Sequence, residues 1–304
     1  MNSFTGVWDV VDLTPVAFTS VLGFDSIRRN LILSNYAQVK SYNLDTQEEK
    51  PVKDFGAFYP EKFDYLSMSD NFYFIDDNEI VKEVSASDFT VSDAMKVPLY
   101  SAIPSKTDGN PVYFYSDIND ALYVYMGYYT NQHYRQLWKF SFEDEKWTNL
   151  EPESQVYTSQ PPSLDSKTIF YRKSTGRITV AGPYWASKSY FYEFNEATEQ
   201  MKWSEVLLGT DPAPSGTYEA VAVDNVNEIY YFLVCVLNNQ DCTVHSFNDI
   251  NKSWSNLGIG IAEKSSYYQM QYIPGYSYLI VNASAADEYD VNKTLIYDVA
   301  GSTL

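Results

Sequence analysis

The chain repeats itself. LWKFSFEDEKWTNL (137–150), YFYEFNEATEQMKWSEV (190–206) and TVHSFNDINKSWSNL (243–257) each run from an aromatic strand through an acidic turn to a tryptophan. Aligned on these segments, Phe142, Phe194 and Phe247 share one position at steps of 52 and 53 residues. Trp147, Trp203 and Trp254 share a second, at steps of 56 and 51. A fixed period near 50 residues, written in short strands, leaves few solutions, because one small sheet cannot bury both its faces and its copies must stack. The expected fold is all-β: a six-bladed β-propeller of four-stranded blades, occupying residues 1–304 as a single domain.

Six apolar runs mark the second strand of each blade: NLILSNY (30–36), NFYFIDD (71–77), ALYVYMG (121–127), RITVAGP (177–183), EIYYFLV (228–234) and SYLIVNA (277–283). Polar, turn-forming residues precede most of them, as in a hairpin feeding a buried strand. Third strands follow in VKSYNL, IVKEV, LWKFSF, YFYEF, TVHSF and TLIYDV. The last repeat, ending at TLIYDVAGSTL (294–304), supplies a third strand and no fourth. GVWDVVDL (6–13) resembles the fourth strands KWTNLEP and KWSEVLL, with Trp8 at the position of Trp147. The N-terminal strand is therefore expected to pair into the last blade and close the ring, which leaves no free edge.

An apolar second strand, an aromatic third strand, a short acidic turn and a tryptophan opening the fourth strand together resemble the kelch repeat. Kelch blades end their second strand in paired glycines. Here those places hold Met126–Gly127, Ala181–Gly182, Val234–Cys235 and Val281–Asn282. The resemblance implies a propeller that serves as a binding scaffold, as most kelch-like propellers do. It implies no catalytic residues, since those of the enzymatic minority do not follow from the repeat. The recurring tryptophans are expected to pack between adjacent blades, and Phe142, Phe194 and Phe247 to belong to the core.

Charge narrows the partners. The net charge of −19 is spread along the chain. Phosphate neutralisation needs basic surface, so neither nucleic acid nor an anionic membrane is an expected partner. Acidic turns keep an aromatic-rich surface soluble. No apolar run approaches the roughly 18 residues of a bilayer span, so membrane insertion is not expected. The first 25 residues lack the basic start and cleavage site of a signal peptide. Sparse lysine and abundant Tyr, Ser and Asn incline the reading to an extracellular setting with the leader already removed; a cytoplasmic setting is the alternative.

No catalytic machinery or cofactor is expected. His133 and His245 fall at different repeat positions, and neither has Cys or acidic residues at zinc-ligand spacing. No GxSxG elbow occurs. DIND (117–120) and FNDIN (247–251) have calcium-loop spacing without its glycine and distal glutamate, and read as turns. Cys235 and Cys242 flank VLNNQD at the base of the hairpin of blade five, where a disulfide fits. The sequons at Asn251, Asn282 and Asn292 are about as many as chance supplies and decide nothing.

The loops joining second to third strands lie on the face of a propeller that also carries the blade-to-blade crossings. Two of them, GYYTNQHYRQ (127–136) and GPYWASKSY (182–190), are long, aromatic and on neighbouring blades. Tyr128, Tyr129, His133, Tyr134, Arg135, Tyr184 and Trp185 are the candidate ligand-binding residues, for a protein or glycan ligand. The expected function is a non-enzymatic binding module. The alternatives are a secreted tyrosine-rich structural protein and an enzyme with its site at the channel mouth. Ring closure makes a test: deletion of residues 1–14 is expected to cause aggregation or a large fall in melting temperature, and an unchanged melting curve refutes it.

Overall fold

The computed structural model describes residues 20–35, 38–54, 64–66, 70–75, 80–96, 112–116, 118–126, 136–144, 146–150, 168–182, 190–195, 203–206, 213–236, 242–261, 265–285 and 293–299. Among them are twenty-three strands and six antiparallel sheets, each a meander of consecutive strands. Sheet one holds β1 (Ser20–Asp25), β2 (Asn30–Asn35), β3 (Gln38–Asn43) and β4 (Glu49–Asp54). Sheet two holds β5 (Asp64–Leu66), β6 (Asn71–Ile75), β7 (Ile80–Ser85) and β8 (Val91–Lys96). Sheet three comprises β9 (Val112–Ser116), β10 (Ala121–Met126), β11 (Gln136–Ser141) and β12 (Lys146–Asn149). Sheet four comprises β13 (Ile169–Arg172), β14 (Arg177–Gly182), β15 (Tyr190–Phe194) and β16 (Trp203–Val206). Sheet five has β17 (Thr217–Asp224), β18 (Ile229–Cys235), β19 (Cys242–Asn248) and β20 (Ser253–Ile261). Sheet six has three described strands, β21 (Ser265–Ile273), β22 (Tyr278–Ala285) and β23 (Lys293–Asp298). Residues 6–13 and Trp8, expected to complete it, lie outside the described residues.

The chain divides into two compact units, residues 1–98 with 264–304, and residues 99–263. In the second unit, sheet four is covered on both faces, and strand alternation assigns its side chains. Ile169, Ile178 and Val180 join Phe114, Tyr123 and Tyr125 of sheet three. Phe170 and Ala181, one residue out of phase, join Tyr230, Phe232 and Phe247 of sheet five. Two-sided burial explains the continuous apolar runs of the second strands. Tyr230, Tyr231, Phe232, Leu233 and Val234 are all buried, where a strand with one wet face would alternate. In the first unit, sheets six and one meet through Ile273, Ile280 and Ile296 against Phe24, Leu31 and Leu33. Segments at opposite ends of the chain thus share a core.

One packing expectation needs correction. Register places Phe140, not Phe142, opposite Trp147, matching Phe194 opposite Trp203 and Phe247 opposite Trp254. Phe140 is buried; Phe142 lies past the end of β11, half-buried, with its ring edge-on to Tyr115 and Phe140. The tryptophans also pair across strands, and Trp254 packs against the cluster shared by sheets four and five. Trp147 packs on Phe140 at 5.2 Å between ring centroids, and Trp254 on Phe247 and Phe232 at 5.0 and 5.4 Å. Each reinforces its own sheet as a cross-strand aromatic pair. Between sheets four and five, Phe170 stands 4.8 Å from Tyr230. Between sheets three and four, Tyr171 stacks on Tyr123 at 6.2 Å.

One backbone device recurs in all six sheets. The residue just before each second strand has positive φ: Arg29, Asp70, Asp120, Gly176, Glu228 and Ser277. This left-handed residue closes the first hairpin, and in four of the sheets its carbonyl accepts a hydrogen bond from the far end of the third strand. Leu44, Ala86, Asp249 and Val299 donate to Arg29, Asp70, Glu228 and Ser277 at 2.9–3.0 Å. A side chain in that conformation costs roughly 1–2 kcal/mol, and glycine avoids it. Glu228→Gly is therefore expected to stabilise the protein by about 0.5–1 kcal/mol, and Gly176→Ala to destabilise it by about 1 kcal/mol. Chemical denaturation of the two variants checks both signs.

Candidate functional site

The candidate ligand-binding residues Tyr128, Tyr129, His133, Tyr134, Arg135, Tyr184 and Trp185 lie outside the described residues. Residues 127–135 join β10 to β11, and 183–189 join β14 to β15. In a meander these connections leave the sheet at the end opposite its first hairpin. Sheets three and four are neighbours within one unit, so both segments start from the same end of one packed pair. At that end of sheet five, Cys235 and Cys242 stand in register across β18 and β19, with Cα atoms 4.0 Å apart and a disulfide between them. A side chain at Gly216 would sit 2.6 Å from the Cys235 carbonyl, so glycine is required where β17 enters beside the bridge.

The opposite, hairpin end is held by charge. Arg172, the last residue of β13, reaches across the seam between sheets four and five. Its Nε and Nη2 donate to Oδ2 and Oδ1 of Asp249 at 2.9 and 2.6 Å, a two-point guanidinium–carboxylate pair. Its Nη1 donates to Oε1 of Glu193 on β15, whose Oε2 accepts from Arg177 at 3.0 Å. The Ser174 hydroxyl and Lys252 Nζ complete the shell around Asp249. Arg172, Glu193 and Asp249 are buried to 4%, 2% and 1% exposure. Burial by itself would raise the Asp249 carboxyl, but the hydrogen bonds from Arg172, Lys252 and Ser174 bring it down to about 2. Burial, with the charge of Asp249 added, pushes the Tyr230 phenol well above its ordinary value; its oxygen accepts from the Lys173 amide at 3.2 Å.

Sequence reasoning treated FNDIN as a turn, which it is, and passed over its aspartate as a partner for another sheet. One signal was present: an arginine closing the apolar strand IFYR, where solvent exposure would be unusual. Residues 118–120 of DIND likewise form a turn, with Asp120 at the left-handed position. His245 sits in β19 with Nε2 2.9 Å from the Thr243 hydroxyl, and burial lowers its pKa, so the imidazole stays neutral at physiological pH.

Related ionic contacts occur in the first unit. Arg28, in the first hairpin of sheet one, meets Asp70 of sheet two through two bonds of 2.7 and 2.6 Å. Arg29 lies 4.1 Å over the Tyr276 ring of sheet six and pairs with Asp45 at 3.0 Å. Arg28 and Asp70 are each about one-third exposed, so the weight of the ionic seam falls on Arg172.

No protein-family model matches the chain, and no curated protein matches its sequence. Solved structures do match its shape. The β-propeller domain of Cps50 (Swd1) from Myceliophteria thermophila aligns with 95% of this chain and 99% of its own, at TM-score 0.55 and 8% identity. A luciferin-regenerating enzyme aligns with 95% and 94%, at TM-score 0.61 and 9% identity. Oligogalacturonate lyase from Vibrio parahaemolyticus aligns with 94% and 92%, at TM-score 0.59 and 11% identity. The neighbours are β-propeller proteins. They support a propeller fold and do not single out the kelch type.

The Arg172 cluster makes a test. Removing one member of a buried pair strands the other, so Asp249→Ala is expected to cost about 3–5 kcal/mol. With the folded carboxyl at about 2 and the ordinary value at 3.8, its contribution is full above about pH 4. That contribution, about 2 kcal/mol, is lost as pH falls to about 2. Urea unfolding measured between pH 5 and 2 should show that acid limb in the native protein, and a shallower one in Asp249→Asn.

Proposed function

We propose that this chain is a propeller scaffold that binds a protein or glycan ligand through the strand-connecting loops opposite its hairpin end. The observation that carries this reading is the division of labour along the sheets. At the hairpin end, Arg172, Glu193 and Asp249 are buried and compensate one another, which suits a structural seam rather than a ligand site. At the other end, the connections of two adjacent sheets concentrate tyrosine, tryptophan, histidine and arginine, residue types that dominate binding hot spots. Loops held on a rigid scaffold are the usual site of recognition. A chain of the nidogen/laminin complex is among the structural neighbours, at TM-score 0.52 and 9% identity, covering 90% of this chain. The same fold also carries enzymes, such as the lyase above, so the fold alone does not select between binding and catalysis.

The reading also keeps the six four-stranded blades, with residues 6–13 completing the last. The test is on the loops. Trp185→Ala and Tyr134→Ala are expected to leave the melting temperature unchanged and to weaken binding to a partner identified by glycan array or pull-down. Each hot-spot loss amounts to about 2 kcal/mol, roughly thirtyfold in affinity. Destabilisation with binding intact would show these aromatics to be packing and dispose of the site.

A further inference from the structure

The three sequons are equivalent in sequence and unequal in structure. Asn282 lies within β22, the middle strand of sheet six, paired in register with Gln269 on one side and Thr294 on the other. Asn292 lies outside the described residues. Asn251 sits at the apex of the hairpin from β19 to β20, exposed, in a turn reversed by Lys252 at φ 59. Its Oδ1 accepts from both the Ser253 amide and the Ser253 hydroxyl, so the first and third positions of the sequon are already joined. Its Nδ2, the atom a glycan would occupy, carries no hydrogen bond among the described residues. The middle residue is turned away, because Lys252 reaches back to Asp249. Ile250 beside it is 70% exposed, so the apex stands clear of the sheets.

We infer that Asn251 is an N-glycan acceptor. The co-reactant is an oligosaccharide linked through a diphosphate to a polyisoprenyl lipid. Nδ2 displaces the diphosphate from the first sugar's anomeric carbon. A carbon–nitrogen bond forms, the carbon–oxygen bond breaks with its electron pair on the diphosphate, and the amide proton passes to a base of the transferase. No oxidation or reduction occurs. Such transfer happens in a secretory compartment, which is also where a disulfide such as Cys235–Cys242 persists. The sequon motif requires a surface turn in the folded product, and of the two sequons with described backbones Asn251 alone meets that requirement.

The full chain, recovered folded from the cells that make it, tests this. After peptide N-glycosidase treatment in heavy-oxygen water, the peptide containing Asn251 is expected to carry labelled aspartate in most molecules. Ser253→Ala should reduce that signal to background, while Ser253→Thr retains it. Asn251→Gln should lose the same glycan mass with the melting temperature unchanged. Thiol labelling of the denatured, unreduced protein should find no free cysteine. Unmodified Asn251 in the folded protein, labelling undiminished in Ser253→Ala, or two free thiols would each overturn the inference.

Discussion

The guanidinium of Arg172 closes a seam that apolar packing alone leaves incomplete. Sheets four and five meet through Phe170, Tyr230 and Phe232, but at their hairpin end the neighbouring turns present backbone polar groups and acidic side chains. A charge buried there is tolerable only with every hydrogen bond made. Arg172 meets Asp249 at two points and Glu193 at a third, and Ser174 and Lys252 satisfy what remains of the aspartate. Apolar residues of similar shape could stabilise the seam as well or better. What the ions add is register: a two-point pair forms at one sliding position of sheet five on sheet four, whereas stacked aromatics accept several.

Much of this architecture was legible in the sequence because two-sided burial writes a plain pattern. The second strands could be located from apolar runs, since consecutive residues of β2, β10, β14, β18 and β22 are buried. Register was harder. Phe140 and Phe142 are two residues apart, so both fit the aromatic position of a strand, and only the partner strand distinguishes them. The distance to tryptophan held the answer. From Phe140, Phe194 and Phe247 it is seven, nine and seven residues, and from Phe142 it is five.

The left-handed turn residue was illegible for a different reason. Glycine fills it once, at Gly176, and aspartate, glutamate, arginine or serine fills it elsewhere. The conformation is imposed by the carbonyl that must face the third strand, so tertiary geometry overrides residue preference. The long-range pair between Arg172 and Asp249 spans 77 residues and carries no local spacing at all. For the proposed ligand face, the sequence offers only the aromatic and basic composition of residues 127–136 and 182–190.

Sheet six completes the core of sheet one, and that has a consequence in time. Leu31 and Leu33 are synthesised about 250 residues before Ile280 and Ile296, which cover them. At about 5–20 residues per second, the interval is on the order of ten to fifty seconds. Throughout it, the apolar face of sheet one has no native cover from its last partner. Sheets three, four and five belong to one compact unit, residues 99–263, whose strands are synthesised in succession. Sheet one is therefore left waiting for its cover in the nascent chain, and its meeting with sheet six is the slow, entropically costly step of folding.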